Sequence, residues 1–308
     1  MRILDGKSLS PFGVYFSRCI LVAALASAPL LTFSVRSEPA SNPIDQVLRG
    51  AVEGKKLPGV VAMVSVRAHI VYEGALGQRD TIHDAPMTVD TIFRIASMTK
   101  PVTAVSVMQL VESARAKLDE PASTYLLELS HVQVLEKFNA STGEAKLRPA
   151  KTIPTVRQLL SHTSGFAYDF FDRKLKDYEA AVPSLFQGDE GFLKEPLIFD
   201  PGSRWEYGIS ADWLSRLVEK VSGQSLDEYF HQNIFVPLGM IDTFFNVPPE
   251  KQARVAAVQQ RQPDGSFVES PQSFKPRRAF GGGGLCSTAN DYSKFMRMLL
   301  DGGESSGF

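Results

Sequence analysis

A chain of 308 residues is long enough to bury a core in one large domain or two modest ones. Its 44% hydrophobic and 22% charged residues are ordinary globular values, and 33 basic residues against 34 acidic ones leave a formal net charge of -1. That balance excludes the electrostatic footprint of a nucleic-acid binder or of a protein drawn to an anionic membrane, so partners are sought in local chemistry.

The chain opens with Arg2, Lys7 and Arg18 ahead of the apolar run "CILVAALASAPLLTFSV", residues 19–35. This is the charge and hydropathy pattern of a secretory signal, so residues 1–36 are expected to be a signal peptide and the protein to be exported, periplasmic or secreted. Ala26, Ser27 and Ala28 form one possible cleavage triplet; a cut further on, before residue 41, fits as well. Pro29 breaks the run, which falls short of the ~20 apolar residues of a spanning helix, so no stable membrane span is expected. Cys19 lies inside this segment and leaves Cys286 as the second of only two cysteines. With no Cys–His cluster at ligand spacing, neither a disulfide, a metal nor a cofactor is expected.

Beyond a polar linker, "PIDQVLRGAVEGKKLPG" has apolar residues at helical spacing and stops at Gly59. The Val-rich "VVAMVSVRAHIVYEGALG" reads as two strands turning near Arg67 to His69, so a helix and an antiparallel hairpin begin the fold. From Ser97, the stripe Val102, Val105, Met108, Leu110 and Val111 predicts a helix, and Pro101 is tolerated close to its first turn. Residues 118–158 are polar and rich in Pro and Lys and read as short helices and loops. Helices are predicted at "TVRQLLSH", "DWLSRLVEKVSG" and "SLDEYFHQNIF", which makes residues 118–270 mainly α-helical. The stretch "RRAFGGGGLCSTANDYSKFMRMLLDGG" reads as a glycine turn followed by a helix capped by Ser287 or Thr288, with Asp291 at capping-box spacing from Thr288.

The chemistry concentrates in "RIASMTKPVT", residues 94–103. A serine hydroxyl needs a base within reach to lose its proton as it attacks, and residues three apart on a helix share a face, which brings Lys100 beside Ser97. Desolvation disfavours a lysine ammonium, and a neutral amine can take that proton; the N–H groups of a helix start can stabilise an oxyanion. The pair by itself is equally the N-cap of a helix next to a solvated lysine, because S-x-x-K is short enough to recur by chance.

"FRIASMTKPVTA", "LLSHTSGF", "PGSRWEYGIS", "VSGQSLDEYF", "VPLGMIDTFF" and "GGGGLCSTANDYSKF" together resemble, in order, the serine hydrolases related to class C β-lactamases, including family VIII carboxylesterases and DD-peptidases. The resemblance runs over residues 43–301 and implies an α+β fold: an antiparallel sheet flanked by helices, residues 43–117 with 275–308, and a mainly helical domain, residues 118–274. It implies Ser97 as the acylated nucleophile, Lys100 as its proton-transfer partner, and Tyr207 in "EYGIS" as the tyrosine that moves the proton towards the leaving group. A phenol beside an ammonium ionises more easily, which fits that role; a core tyrosine is the plain alternative. Substrate contacts are expected from Ile209, Ser210 and Gly283.

Two departures from the family pattern matter. Ile209 stands where the family has Asn or Ser, with Ser210 one position late. The third motif, a K-T-G, H-x-G or W-x-G strand, would follow "KFMRMLLDGG", where the sequence ends at Phe308, so the sheet is expected to be C-terminally incomplete. Loss of an oxyanion donor typically lowers a rate by ~100- to 1000-fold. The expected function is a serine hydrolase acting through an acyl-enzyme on small-molecule esters or amides, first a carboxylesterase on short acyl esters. A β-lactamase or D-Ala-D-Ala peptidase is the alternative, and a non-catalytic penicillin-recognising remnant a further one. His162 is read as part of a structural turn, and Ser210, in a near match to G-x-S-x-G, as a secondary nucleophile candidate.

Overall fold

The computed structural model describes residues 42–66, 69–270 and 278–304, and all that follows concerns the unit from Asn42 onward. The expected signal peptide, Cys19, Arg67 and Ala68 lie outside the described residues. Among the described residues no helix is long and apolar enough to cross a membrane.

Helix α1, Pro43–Glu53, starts at Asn42, whose side chain accepts from the Ile44 N–H, with Pro at the first helical position. Strands β1, Gly59–Val66, and β2, His69–Asp80, form the expected antiparallel hairpin, pairing Gly59 with Gly77 through to Val66 with His69. The Tyr72 hydroxyl donates to Asp45 at 2.7 Å and ties β2 to α1. The short β3, Ala85–Pro86, continues this sheet on β2.

Strand β4, Phe93–Arg94, leads through a 3₁₀ turn at Ala96–Met98 into α2, Thr99–Glu112. The stretch 118–158 contains a second hairpin, β5 Gln133–Asn139 with β6 Glu144–Pro149, where the sequence suggested only helices and loops. A register shift between Leu135 and Lys137 interrupts its alternation, and three successive residues of β6, Glu144 to Lys146, are exposed, so period two is hard to see. Gly143 at φ 73° turns the hairpin.

Two short helices follow, α3 Val156–Leu160 with a full capping box from Thr155 and Gln158, and α4 Arg173–Ala181. Next come α5 Ser210–Ser222, α6 Leu226–Phe230 with a capping box from Ser225 and Glu228, a π-helical turn at His231–Phe235, and α7 Val236–Leu238. A third hairpin, β7 Gln259–Arg261 with β8 Phe267–Glu269, precedes β9, Cys286–Ser287, and α8, Ala289–Leu300. Thr288 caps α8 by accepting from the Asp291 N–H at 3.1 Å. The Asp291 carboxylate does not turn back to close a box; it accepts from Asp242 N–H and the Thr243 hydroxyl.

A small cluster holds Ala167, Leu175, Ile198 and Phe199, and the main core lies among the helices. Its centre is the α2–α5 contact, where Val102, Val107, Leu110, Trp213, Leu214 and Leu217 are buried. Trp213 stacks on Phe166 at 5.5 Å and meets Phe192 edge-on. Small antiparallel sheets together with the helices make the fold α+β.

Candidate active site

Two distant pieces of chain are joined at β4 and β9, which pair Phe93 with Ser287 and Arg94 with Cys286. The next contacts continue that seam: Ile95 N–H donates to Leu285 O at 2.9 Å, and Leu285 N–H to Thr99 Oγ1 at 3.2 Å. This pairing lays the glycine run 281–284 against the turn that carries Ser97. The Tyr292 hydroxyl of α8 adds a bond to Met98 O at 2.9 Å.

Ser97 sits in that turn, exposed, directly after Ala96, whose φ of 44° is in the left-handed region that a side chain disfavours. The serine does not cap α2: the helix starts without a side-chain cap, and the Thr99 hydroxyl donates to Ala96 O instead. Its Oγ lies 3.2 Å from Lys100 Nζ. Lys100 donates further to Gly282 O at 2.7 Å and to the Tyr168 hydroxyl at 3.0 Å, so three contacts fix its amino group. The Ser–Lys geometry expected from the spacing of three is present.

Tyr207 is brought to the same place, but it meets Lys100 with its ring, whose centroid is 4.7 Å from Nζ. The phenol at hydrogen-bond distance from Lys100 belongs to Tyr168, a residue that sequence reasoning missed. It stands four residues beyond Ser164 in "LLSHTSGFAYDFF", and only the tertiary path of that loop reveals it. Burial raises the Tyr168 pKa above the ordinary phenol value, with the charges of Asp212, Tyr207 and Glu195 acting in the same direction.

Around the two tyrosines lies an aromatic wall. Tyr168 stacks on Phe170 at 4.8 Å, Phe171 meets Tyr207 edge-on at 6.1 Å, and Trp205 stacks on Tyr207 at 6.5 Å. Phe170, Phe171 and Trp205 are 64%, 59% and 61% exposed, so this apolar surface is open to solvent beside the Ser97–Lys100 pair. His162 packs on Tyr207 at 4.8 Å from a left-handed turn after α3, φ 57°. Burial, helped by the charge of Lys100, pushes its pKa down to about 4, and its buried Nδ1 has no hydrogen-bond partner among the described residues. At neutral pH it is therefore a neutral, ring-packing residue.

The expected substrate contacts are placed unequally. Gly283 borders the nucleophile turn: the space over its Cα is open, with Ala96 O the nearest atom at 3.8 Å from an added Cβ. Ile209 and Ser210 are buried at the start of α5, and the Ser210 hydroxyl is shared with Ser164 at 2.8 Å, so its oxygen is committed inside the protein. The same burial removes Ser210 as a secondary nucleophile, since no approach to it is open. Cys286 is a core residue of β9 whose thiol burial pushes up to about 11.

An exposed serine after a left-handed residue, a lysine fixed against it and two tyrosines around that lysine are thus gathered at one open surface of the fold. The chain belongs to the Beta-lactamase family, whose model matches residues 44–307. It is similar to an acyltransferase of Monascus pilosus, mokF, at 34% identity over 83% of this chain and 66% of the relative. It is also similar to a lovastatin esterase of Penicillium rubens, at 31% identity over 83% of this chain and 68% of the relative. Among solved structures, unliganded simvastatin synthase LovD of Aspergillus terreus, as its selenomethionyl derivative, aligns with a TM-score of 0.77 at 33% identity. That alignment covers 85% of this chain and 69% of LovD. The chain thus spans about two thirds of the length of the relatives it matches.

Proposed function

We propose that the protein is an acyl-transferring esterase working through a Ser97 acyl-enzyme, with an ester of a short acyl group as donor and water or an alcohol as acceptor. The observation that carries this reading is the 3.2 Å approach of Lys100 Nζ to Ser97 Oγ, with the amino group fixed by Gly282 O and Tyr168. Ser97 Oγ attacks the ester carbonyl as its proton passes to the Lys100–tyrosine cluster. The tetrahedral intermediate then breaks its bond to the alkoxide, which leaves with that proton. The acceptor repeats the sequence in reverse and frees Ser97. Tyr207, with its ring on Lys100, and Tyr168, bonded to it, are the groups proposed to pass the proton onward. The relatives, a methylbutanoyltransferase and a lovastatin esterase among them, support acyl transfer and ester cleavage over β-lactam or peptide hydrolysis. The exposed aromatic wall fits a bulky apolar partner for the acyl group.

Incubation with a fluorophosphonate, read by peptide mass spectrometry, is expected to give one adduct on Ser97 that is absent in Ser97→Ala. Folded protein without an adduct would sink the reading. A chromogenic butyrate ester is expected to turn over faster than a chromogenic cephalosporin, and faster again when an alcohol is added as acceptor; the opposite ranking would favour the β-lactamase alternative.

A further inference from the structure

Lys100 forms no ion pair with a carboxylate among the described residues, yet a carboxylate stands one peptide away from it. Asp212, 9% exposed in the first turn of α5, accepts from Gly282 N–H at 2.8 Å through Oδ1. The carbonyl of that same glycine accepts from Lys100 Nζ at 2.7 Å. The carboxylate also occupies the space that a side chain at residue 282 would need: a Cβ there would lie 2.6 Å from Oδ2 and 2.7 Å from Oδ1. Gly282 therefore serves as a rigid link, bonded to Asp212 on one side and to Lys100 on the other.

We propose that Asp212 is a positioning residue for Lys100: its carboxylate fixes the Gly282 peptide whose carbonyl holds the lysine against Ser97, and its charge sets the pH at which the pair becomes reactive. This rests on the Ser97 acyl-enzyme reading above. A carboxylate in the first turn of a helix is favoured by the helix dipole, and a backbone N–H favours its charged form. Burial works against that charge and raises the Asp212 pKa overall, with the Gly282 N–H and the Lys100 charge opposing the rise. Several groups act on this cluster: Lys100 on α2, Tyr168 and Tyr207 across the opening, Glu195 behind Tyr168, and His162 beside Tyr207. Burial, with like charges around it, pushes Glu195 up to about 9. At neutral pH Glu195 is therefore protonated, and Asp212, held by the Gly282 N–H, is the carboxyl group that Lys100 faces through Gly282.

The two contributions separate by substitution. Asp212→Asn keeps an oxygen for the Gly282 N–H and removes the charge, whereas Asp212→Ala removes both. The rate of Ser97 labelling by the fluorophosphonate is to be followed from pH 5 to pH 10 in the full chain, with circular dichroism as the check on folding. Losing a nearby negative charge makes both an ammonium and a phenol easier to deprotonate, so the rising limb is expected to move to lower pH in Asp212→Asn, by on the order of one pH unit. Asp212→Ala is expected to label about 10- to 100-fold more slowly, because the lysine is no longer aimed. Reductive methylation of Lys100, read on its peptide, gives a measure that does not depend on Ser97 chemistry, and it is expected to rise several-fold in Asp212→Ala. If Ser97 labels in the wild type but Asp212→Asn keeps the wild-type pH profile, the charge role is overturned and the acyl-enzyme reading stands. Equal Lys100 methylation in all three proteins overturns the positioning role whether or not Ser97 labels. Absence of Ser97 labelling in folded wild type overturns the acyl-enzyme reading instead, and the methylation rates then decide the positioning role alone. Should Asp212→Ala fail to fold, the Asp212→Asn profile still decides the charge role, and Gly282→Ala, which forces the carboxylate away, replaces it in the methylation arm.

Discussion

At the scale of single residues, the site joins groups the sequence displays to groups it conceals. Ser97 and Lys100 are visible in the sequence because a spacing of three is a local geometric fact, and Tyr207 is visible through the motif around it. Tyr168 and Asp212 are not, because their role comes from what faces them across the fold, 68 residues from Lys100 in the case of Tyr168. His162 carries a prediction of its own. Its pKa is pushed down to about 4 in the folded protein, against an ordinary value of ~6.5 in the unfolded chain. Between those values the unfolded chain binds a proton that the folded one refuses. The stability His162 contributes is therefore full above pH ~6.5 and is lost as pH falls towards 4. Urea unfolding of the wild type at pH 7 and pH 4.5 should differ by on the order of 1–2 kcal/mol more than that of His162→Phe, which keeps a ring and lacks the proton site, solvent screening of the partly exposed imidazole included. An identical pH dependence in the two proteins would show that the imidazole does not titrate in this way.

Among the elements, the glycine run is the part most closely fitted to its neighbours. A Cβ on Gly281 would lie 2.2 Å from Ala211 O, 2.9 Å from Ser215 Cβ and 2.9 Å from Thr103 Cγ2, so backbone of α5 and side chains of both α5 and α2 close on it. A Cβ on Gly283 meets only ordinary contact. Gly281→Ala is expected to lower stability by about 1–3 kcal/mol, as overpacking does, and to slow Ser97 labelling by shifting the neighbouring Lys100 anchor. Gly283→Ala should leave stability within about 0.5 kcal/mol and change only how bulky substrates approach. Thermal unfolding and labelling of the pair check this; equal behaviour would mean that the seam between α2, α5 and the glycines is looser than it looks. From sequence, the run read as a tight turn bordering the site. What it could not reveal was that the turn is shaped by helices α2 and α5. The hairpin of β5 and β6 was hidden for a different reason: its register slips once, so that neither face keeps a clean alternation, and Pro and Lys around it mimic loop composition.

Over the whole molecule, the N-terminal hairpin stands apart from the buried centre. Among the described residues β1 pairs only with β2, and Val64, Val66, Ile70 and Val71 are 42%, 55%, 44% and 59% exposed. An apolar strand edge with free N–H and C=O groups favours pairing with another chain. Val66→Lys, on β1 itself, is expected to reduce concentration-dependent light scattering while moving stability by no more than about 0.5 kcal/mol, as exposed substitutions usually do. Unchanged scattering would show that association, if present, uses another face. The opening helix and its Val-rich hairpin are legible in the sequence because both are local patterns, while the α+β class is what the family resemblance implies; which strands pair at an edge is a property of the assembled sheet.

The bond from Lys100 to Gly282 spans 182 residues of chain. Contacts of such separation form late, because a long loop must close before they contribute. A nascent chain emerging from the ribosome therefore displays Ser97 and Lys100 long before the carbonyl that aims the lysine has been made. On the Ser97 acyl-enzyme reading, reactivity should accordingly appear only once Gly282 has been made and folded into place, so the order of folding itself keeps a shorter nascent chain from reacting with the esters it meets.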